Sequence, residues 1–89
     1  MRIKLVVEYD GTDFHGFQRQ PGKRTVDRVL EEAISKVTDE EVKVTGAGRT
    51  DAGVHALGQV VAFDTGATIP PDRFCPAANT FLPPDVRIV

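Results

Sequence analysis

Hydrophobic and polar positions alternate from Arg2 to Asp10, with Ile3, Leu5, Val7 and Tyr9 on one side and Lys4, Val6, Glu8 and Asp10 on the other. That is the period of a half-buried strand. Asp10, Gly11, Thr12 and Asp13 break the alternation, and Gly16, Pro21 and Gly22 keep the chain irregular as far as Arg24, so a long loop is expected there. Apolar residues then recur at Val26, Val29, Leu30, Ala33, Ile34 and Val37, one stripe of a helix, with Thr25 placed to cap its start. Val42 and Val44 alternate with polar neighbours up to Gly46, and Ala56 to Phe63 forms another β-rich run with Leu57, Val61 and Phe63 on one side. Phe74, Ala77, Ala78, Phe81 and Leu82 predict a second helix, opened by Asp72 and closed by Pro83 and Pro84. Within it, Pro76 is expected to distort or shorten the first turn. Val86 to Val89 completes the order β-α-β-β-α-β. The predicted fold class is α+β, ferredoxin-like, with two helices covering one face of a four-stranded antiparallel sheet in a single domain over residues 1–89.

Composition narrows what such a domain can be. With 40% apolar and 27% charged residues, the chain has ordinary globular character, and a chain of this length buries roughly 60–65% of its unfolded surface. Its longest apolar runs are a few residues, which predicts neither a membrane span nor an export signal and points to the cytoplasm. A single Cys75 offers no disulfide and no cysteine cluster, and His15 and His55 lack a third spaced ligand, so no metal is expected.

The net charge of −2 gives no overall basic footprint. Between Phe14 and Val26, however, there is no acidic residue while Arg19, Lys23 and Arg24 all occur, with Arg28 a turn further on. Such a cluster suits contacts to phosphate. It also suits an ordinary solvated loop.

The most polar and glycine-rich stretch is Gly46-Ala-Gly-Arg-Thr-Asp-Ala-Gly-Val-His55, between the second and third predicted strands. A dinucleotide fingerprint would need glycine where Asp51 stands, and the strand-to-strand setting supplies no helix N-terminus for a pyrophosphate. An aspartate so placed can project from a sheet edge into a cleft, or simply close an Asx turn on its own backbone.

The run Gly46 to Phe63, GAGRTDAGVHALGQVVAF, resembles the catalytic motif of the TruA family of tRNA pseudouridine synthases. Three further segments match that family in the same order: Tyr9-Asp-Gly-Thr with Gly16-Phe-Gln-Arg-Gln20, Thr25-Val with Leu30-Glu31, and Asn79 with Leu82-Pro83. Phe17 stands where the family usually has Trp, Asp27 where it has Gln, and Pro76 in a helix that normally lacks it.

The resemblance implies an isomerase that converts uridine to pseudouridine in the tRNA anticodon stem-loop, without cofactor or metal. It casts Asp51 as the essential carboxylate, nucleophile or proton acceptor, and Arg49 as its neighbour in catalysis. Arg19, Lys23, Arg24, Gln18 and His55 become candidates for holding tRNA. The implied partner is tRNA rather than DNA or a membrane, and the full-length family is expected to be homodimeric. Family members are considerably longer, so this chain corresponds to an N-terminal half, expected to be inactive alone. Its outer sheet face, carrying Val6, Val60 and Ala62, is then expected to be covered by the rest of the enzyme.

The residue types suit that chemistry. Breaking an N-glycosidic bond and rejoining uracil through C5 needs a carboxylate beside ribose and base and no redox partner. The uridine must leave its stack at a cost of a few kcal/mol, and a planar cation such as Arg49 can fill the space or hold backbone phosphate.

Two other readings weigh against this one. Asp64-Thr-Gly66 resembles the motif of retroviral-type aspartic proteases, but only 23 residues follow Gly66, too few for a flap and a later core strand. A non-enzymatic RNA-binding module of the RRM type shares the β-α-β-β-α-β order, although Tyr9 and Phe63 would be its only strand aromatics.

Overall fold

In a computed structural model, residues 1–18, 20–46 and 56–89 are described, without the side chains of Ala56, Leu57 and Pro71. The elements are β1 (Arg2–Tyr9), a 3₁₀ turn (Gly11–Asp13), α1 (Val26–Thr38), β2 (Thr45–Gly46), β3 (Ala56–Asp64), α2 (Pro71–Phe81) and β4 (Val86–Ile88). The strand order is β2-β3-β1-β4 and every pairing is antiparallel. This is the split βαβ arrangement expected from the alternation of periods 2 and 3.6.

Leu5, Val7 and Tyr9 of β1 and Val61 and Phe63 of β3 are buried, and their face packs against Val26, Leu30 and Ile34 of α1 and Phe74 and Ala78 of α2. Phe63 stacks on Phe74 with ring centroids 5.6 Å apart. On the opposite face, Val6 lies directly across from Val60 and both are about two-fifths exposed (42% and 40%). Ala62 faces the same way but is buried, its methyl lying between Lys4 and Thr45 on the adjacent strands.

The β1–β3 ladder contains one irregularity. Val7 pairs with Gln59 but Tyr9 pairs with Ala56, so β3 inserts one extra residue at its start. Bulges of this kind re-aim a strand end.

Local chemistry departs from the pattern in four places. Thr25 is the N-cap of α1, yet its hydroxyl donates to Asp27 Oδ1 (2.7 Å) instead of accepting from the helix backbone. The first helical N–H groups are satisfied by the preceding loop, Val26 donating to the Gly16 carbonyl and Asp27 to that of Phe17. The segment expected as the start of β2 does not join the ladder until Thr45, because the Val44 N–H is taken by Glu31 of α1 at 2.8 Å. Pro76 does not shorten α2: the helix begins five residues earlier, at Pro71, with Pro70 rather than Asp72 flanking it, as suits a residue whose missing N–H costs nothing in a first turn.

Phe81 is the fourth departure. It falls at the exposed end of α2, 48% accessible, where the Lys36 ammonium lies 5.5 Å from its ring centroid. Asn79, two residues before the end of that helix, instead reaches the edge strand, donating to the Ile88 carbonyl (3.0 Å) and accepting from the Ile88 N–H (2.8 Å). A side-chain amide thus supplies β4 with the partner a further strand would give.

Candidate functional site

Three connections meet at one end of the sheet. β1 runs out at Tyr9 into residues 10–24, β4 begins opposite Tyr9 at Val86 after the turn at Pro83–Asp85, and β3 begins at Ala56, also beside Tyr9. The described chain runs to Gly46, opposite Val61, and resumes with Ala56 at this end. Asp51, Arg49 and His55 belong to the sequence in between and lie, with Arg19, outside the described residues.

Tyr9 anchors the described part of this end. Its ring is buried, its hydroxyl donates to Gln59 Oε1 at 2.8 Å, and Phe14 meets it edge-on with centroids 6.3 Å apart. Phe17 packs against it at 6.5 Å. The two loop phenylalanines are thus core residues, each 3% exposed, and they tie residues 10–24 down from beneath. Backbone bonds close the loop above them, His15 N–H to the Arg24 carbonyl (2.8 Å) and Lys23 N–H to that of Gln20 (3.1 Å). The Gln20 amide also donates to the His15 carbonyl. Gly22, at φ 70°, makes the tip of this loop in a conformation that an L-residue adopts only with strain.

Of the basic residues expected to meet phosphate, Lys23 is exposed, as is Gln18. Lys23, Arg24 and Arg28 border a shallow groove between the loop and the first turns of α1, with Glu32 at its far side, 3.5 Å from Arg28 Nε. Arg24 is already engaged. Its two terminal nitrogens donate to the two oxygens of Asp85, at 2.8 and 3.1 Å, and its guanidinium carbon lies 4.1 Å from the Phe14 ring centroid. The Asp85 hydrogen bond raises the Arg24 pKa, and the same bond from Arg24 lowers that of Asp85 below its ordinary value. Arg24 also lines a second groove, with Asp10, Asp13, Pro83, Pro84 and Asp85, three carboxylates in all to one guanidinium.

Sequence reading missed Asp85. Sixty-one positions separate it from Arg24, and nothing local to Pro83-Pro84-Asp85 marks more than a turn.

The Asp64-Thr-Gly66 motif lies at the other end of the sheet, where Asp64 pairs across from Arg2. The Asp64 carboxylate forms an exposed ion pair with Arg2 (3.3 Å), and the Thr65 hydroxyl donates to Glu40, which also accepts from the Gly66 N–H. Those bonds, the Thr65 one foremost, hold the Glu40 carboxyl below its usual range. The motif is a turn that ties the start of β1 to the end of α1. Cys75 is a half-buried free thiol against the core. Among the described residues, no group of His, Cys, Asp and Glu could hold a metal, and no helix is long and apolar enough to cross a membrane.

Fold and loops together define the class: an α+β domain in which the connections at Tyr9, Ala56 and Val86 gather at one end of an antiparallel sheet. Residues 5–89 match the tRNA pseudouridine synthase family. The chain is 53% identical over 88 residues to tRNA pseudouridine synthase A of Syntrophomonas wolfei, covering 99% of this chain and 35% of that protein. The same-named protein of Caldicellulosiruptor saccharolyticus is 52% identical over 86 residues (97% and 35%), and that of Bacillus pumilus is 50% identical over 91 (100% and 37%). This chain belongs to the TruA family of tRNA pseudouridine synthases, and it spans about a third of the length of those relatives.

Proposed function

We propose that this chain forms the catalytic-loop wall of a tRNA pseudouridine synthase that isomerises uridine in the anticodon stem-loop, with Asp51 as the essential carboxylate. The observation that carries the reading is topological. β3 starts at Ala56 beside Tyr9, at the sheet end where the basic loop 10–24 is anchored, and β2 runs toward that end from its pairing with Val61, so in this reading the segment of sequence between them, with Arg49, Asp51 and His55, serves a substrate held by the loop. Asp51 attacks the ribose or base, or accepts a proton from it, once the uridine has left its stack. Arg49 holds the space or the backbone around the displaced nucleotide. Arg19 and Lys23 contact phosphates, which position the RNA without reading its sequence, and Gln18 and His55 add polar contacts at the same mouth. Arg24 contributes through its pairing with Asp85.

A single wall is not an active site. Positioning and preorganised electrostatics each contribute several kcal/mol to such a reaction, and both need groups on the far side of the substrate. Unmodified tRNA incubated with this chain should gain no substantial pseudouridine, whereas a synthase completed to its relatives' length should modify it. Asp51→Asn in that longer enzyme should abolish the reaction with tRNA binding retained. Asp51-independent turnover would overturn the assignment, and Asp51-dependent turnover by the 89-residue chain would show that it rebuilds the missing wall.

A further inference from the structure

We propose that Asp85 is a positioning residue for the RNA-binding loop, fastening residues 10–24 to the turn before β4 through its paired hydrogen bonds to Arg24, and that Arg24 acts through this latch rather than as a phosphate ligand. The inference rests on the tRNA reading above. Its geometry does not depend on that reading.

The bidentate contact fixes the plane of the guanidinium, at 2.8 and 3.1 Å, and the Phe14 ring fixes it from one side at 4.1 Å. Phe14 is itself buried against Tyr9, so the latch stands on the core of the sheet. A second attachment runs parallel to it, the Asp10 N–H donating to the Asp85 carbonyl at 2.9 Å. Asp85 therefore grips the loop at both ends, at Asp10 through its backbone and at Arg24 through its carboxylate. Lys23 is adjacent to the gripped residue, and its own N–H closes the turn back to Gln20. Fixing Arg24 consequently fixes where Lys23 stands relative to the start of β3.

Charge decides that Arg24 is not itself a phosphate ligand. Its cation is matched by Asp85, and Asp10 and Asp13 line the same groove. A phosphate entering there would meet three carboxylates around one guanidinium. The other groove, toward α1, is bordered by Lys23, Arg24 and Arg28, with Arg28 3.5 Å from Glu32, and Lys23 is the cation assigned to RNA on that side.

The test uses the 89-residue chain and a synthetic anticodon stem-loop RNA. Asp85→Asn, Arg24→Gln and the double variant are compared by amide hydrogen exchange and by RNA affinity across a salt series. The latch predicts faster exchange of the Asp10 and His15 amides in each single variant, with the β1–β3 amides unchanged. It also predicts a similar loss of affinity, on the order of threefold to tenfold, in both single variants, no further loss in the double one, and an unaltered salt slope. A slope reduced by about 0.7–0.9 in Arg24→Gln alone would make Arg24 a phosphate ligand, and tighter binding by Asp85→Asn would make Asp85 a competitor of RNA; either overturns the proposal. Faster exchange without any change in affinity would leave a brace of the fold and also overturn the positioning role. Absence of RNA binding by the unmutated chain, with the exchange response intact, would remove the tRNA reading instead.

Discussion

Replacing Phe63 by Ala tests the register on which the site's placement depends. The side chain is 1% exposed, sits next to the last residue of β3 opposite Ile3, and stacks on Phe74 at 5.6 Å. Truncating such a phenylalanine removes its transfer free energy and leaves a cavity, about 3–5 kcal/mol together, of which the aromatic pair accounts for about 0.5–1.5. A domain of this size has only about 5–10 kcal/mol in all. With a urea slope of about 1–1.5 kcal/mol/M, the unfolding midpoint should fall by roughly 2–5 M. Val60→Ala, three positions earlier and 40% exposed on the other face, should lose less than about 1 kcal/mol. Phe63→Leu keeps most of the volume and gives a measurable folded variant should the alanine chain not fold. The assay is urea unfolding followed by far-UV circular dichroism. Comparable losses at the two positions would refute the reasoning, because a one-residue slip exchanges the faces of β3. Such a slip would also move Ala56 off Tyr9 and turn Gln59 away from the Tyr9 hydroxyl, displacing the point where β3 begins.

Further outcomes follow from the same geometry. Tyr9→Phe should cost about 1 kcal/mol in the same unfolding assay, since it leaves the partly buried Gln59 oxygen without the phenolic donor; no loss would mean that the 2.8 Å bond contributes nothing. Asp85 has its pKa lowered by Arg24, so the pair's contribution is fully present above the ordinary carboxylate value and lost as pH falls through the depressed one. The stability difference between the wild-type chain and Asp85→Asn, no more than about 1 kcal/mol at this partly exposed site, should therefore be constant from pH 7 to pH 5 and shrink below about pH 4; a difference that grows on acidification would contradict the pairing. Neutralising Arg19 and Lys23 together should flatten the salt dependence of RNA binding by about 0.7–0.9 for each phosphate no longer neutralised, and an unchanged slope would remove both from the interface.

The element order and the buried faces were legible in the sequence because they depend on local periodicity. Leu5, Val7 and Tyr9 recur every second residue, and Val26, Leu30, Ala33 and Ile34 follow one helix stripe. The catalytic stretch was legible for another reason, since Gly46 to His55 matches a long and specific family motif whatever its conformation. Tertiary structure decided what depends on partners far apart in the chain. Phe14 and Phe17 look like residues of an exposed loop until Tyr9 is placed beneath them, and Phe81 looks like core until α2 is seen to end in solvent. The Val44 N–H left the ladder only because α1 brings Glu31 within reach, and Asn79 became the partner of an edge strand. Arg24 looked like one cation among three, and only folding showed its charge already matched, because the carboxylate that matches it lies 61 residues away, brought back by the antiparallel return of β4 beside β1.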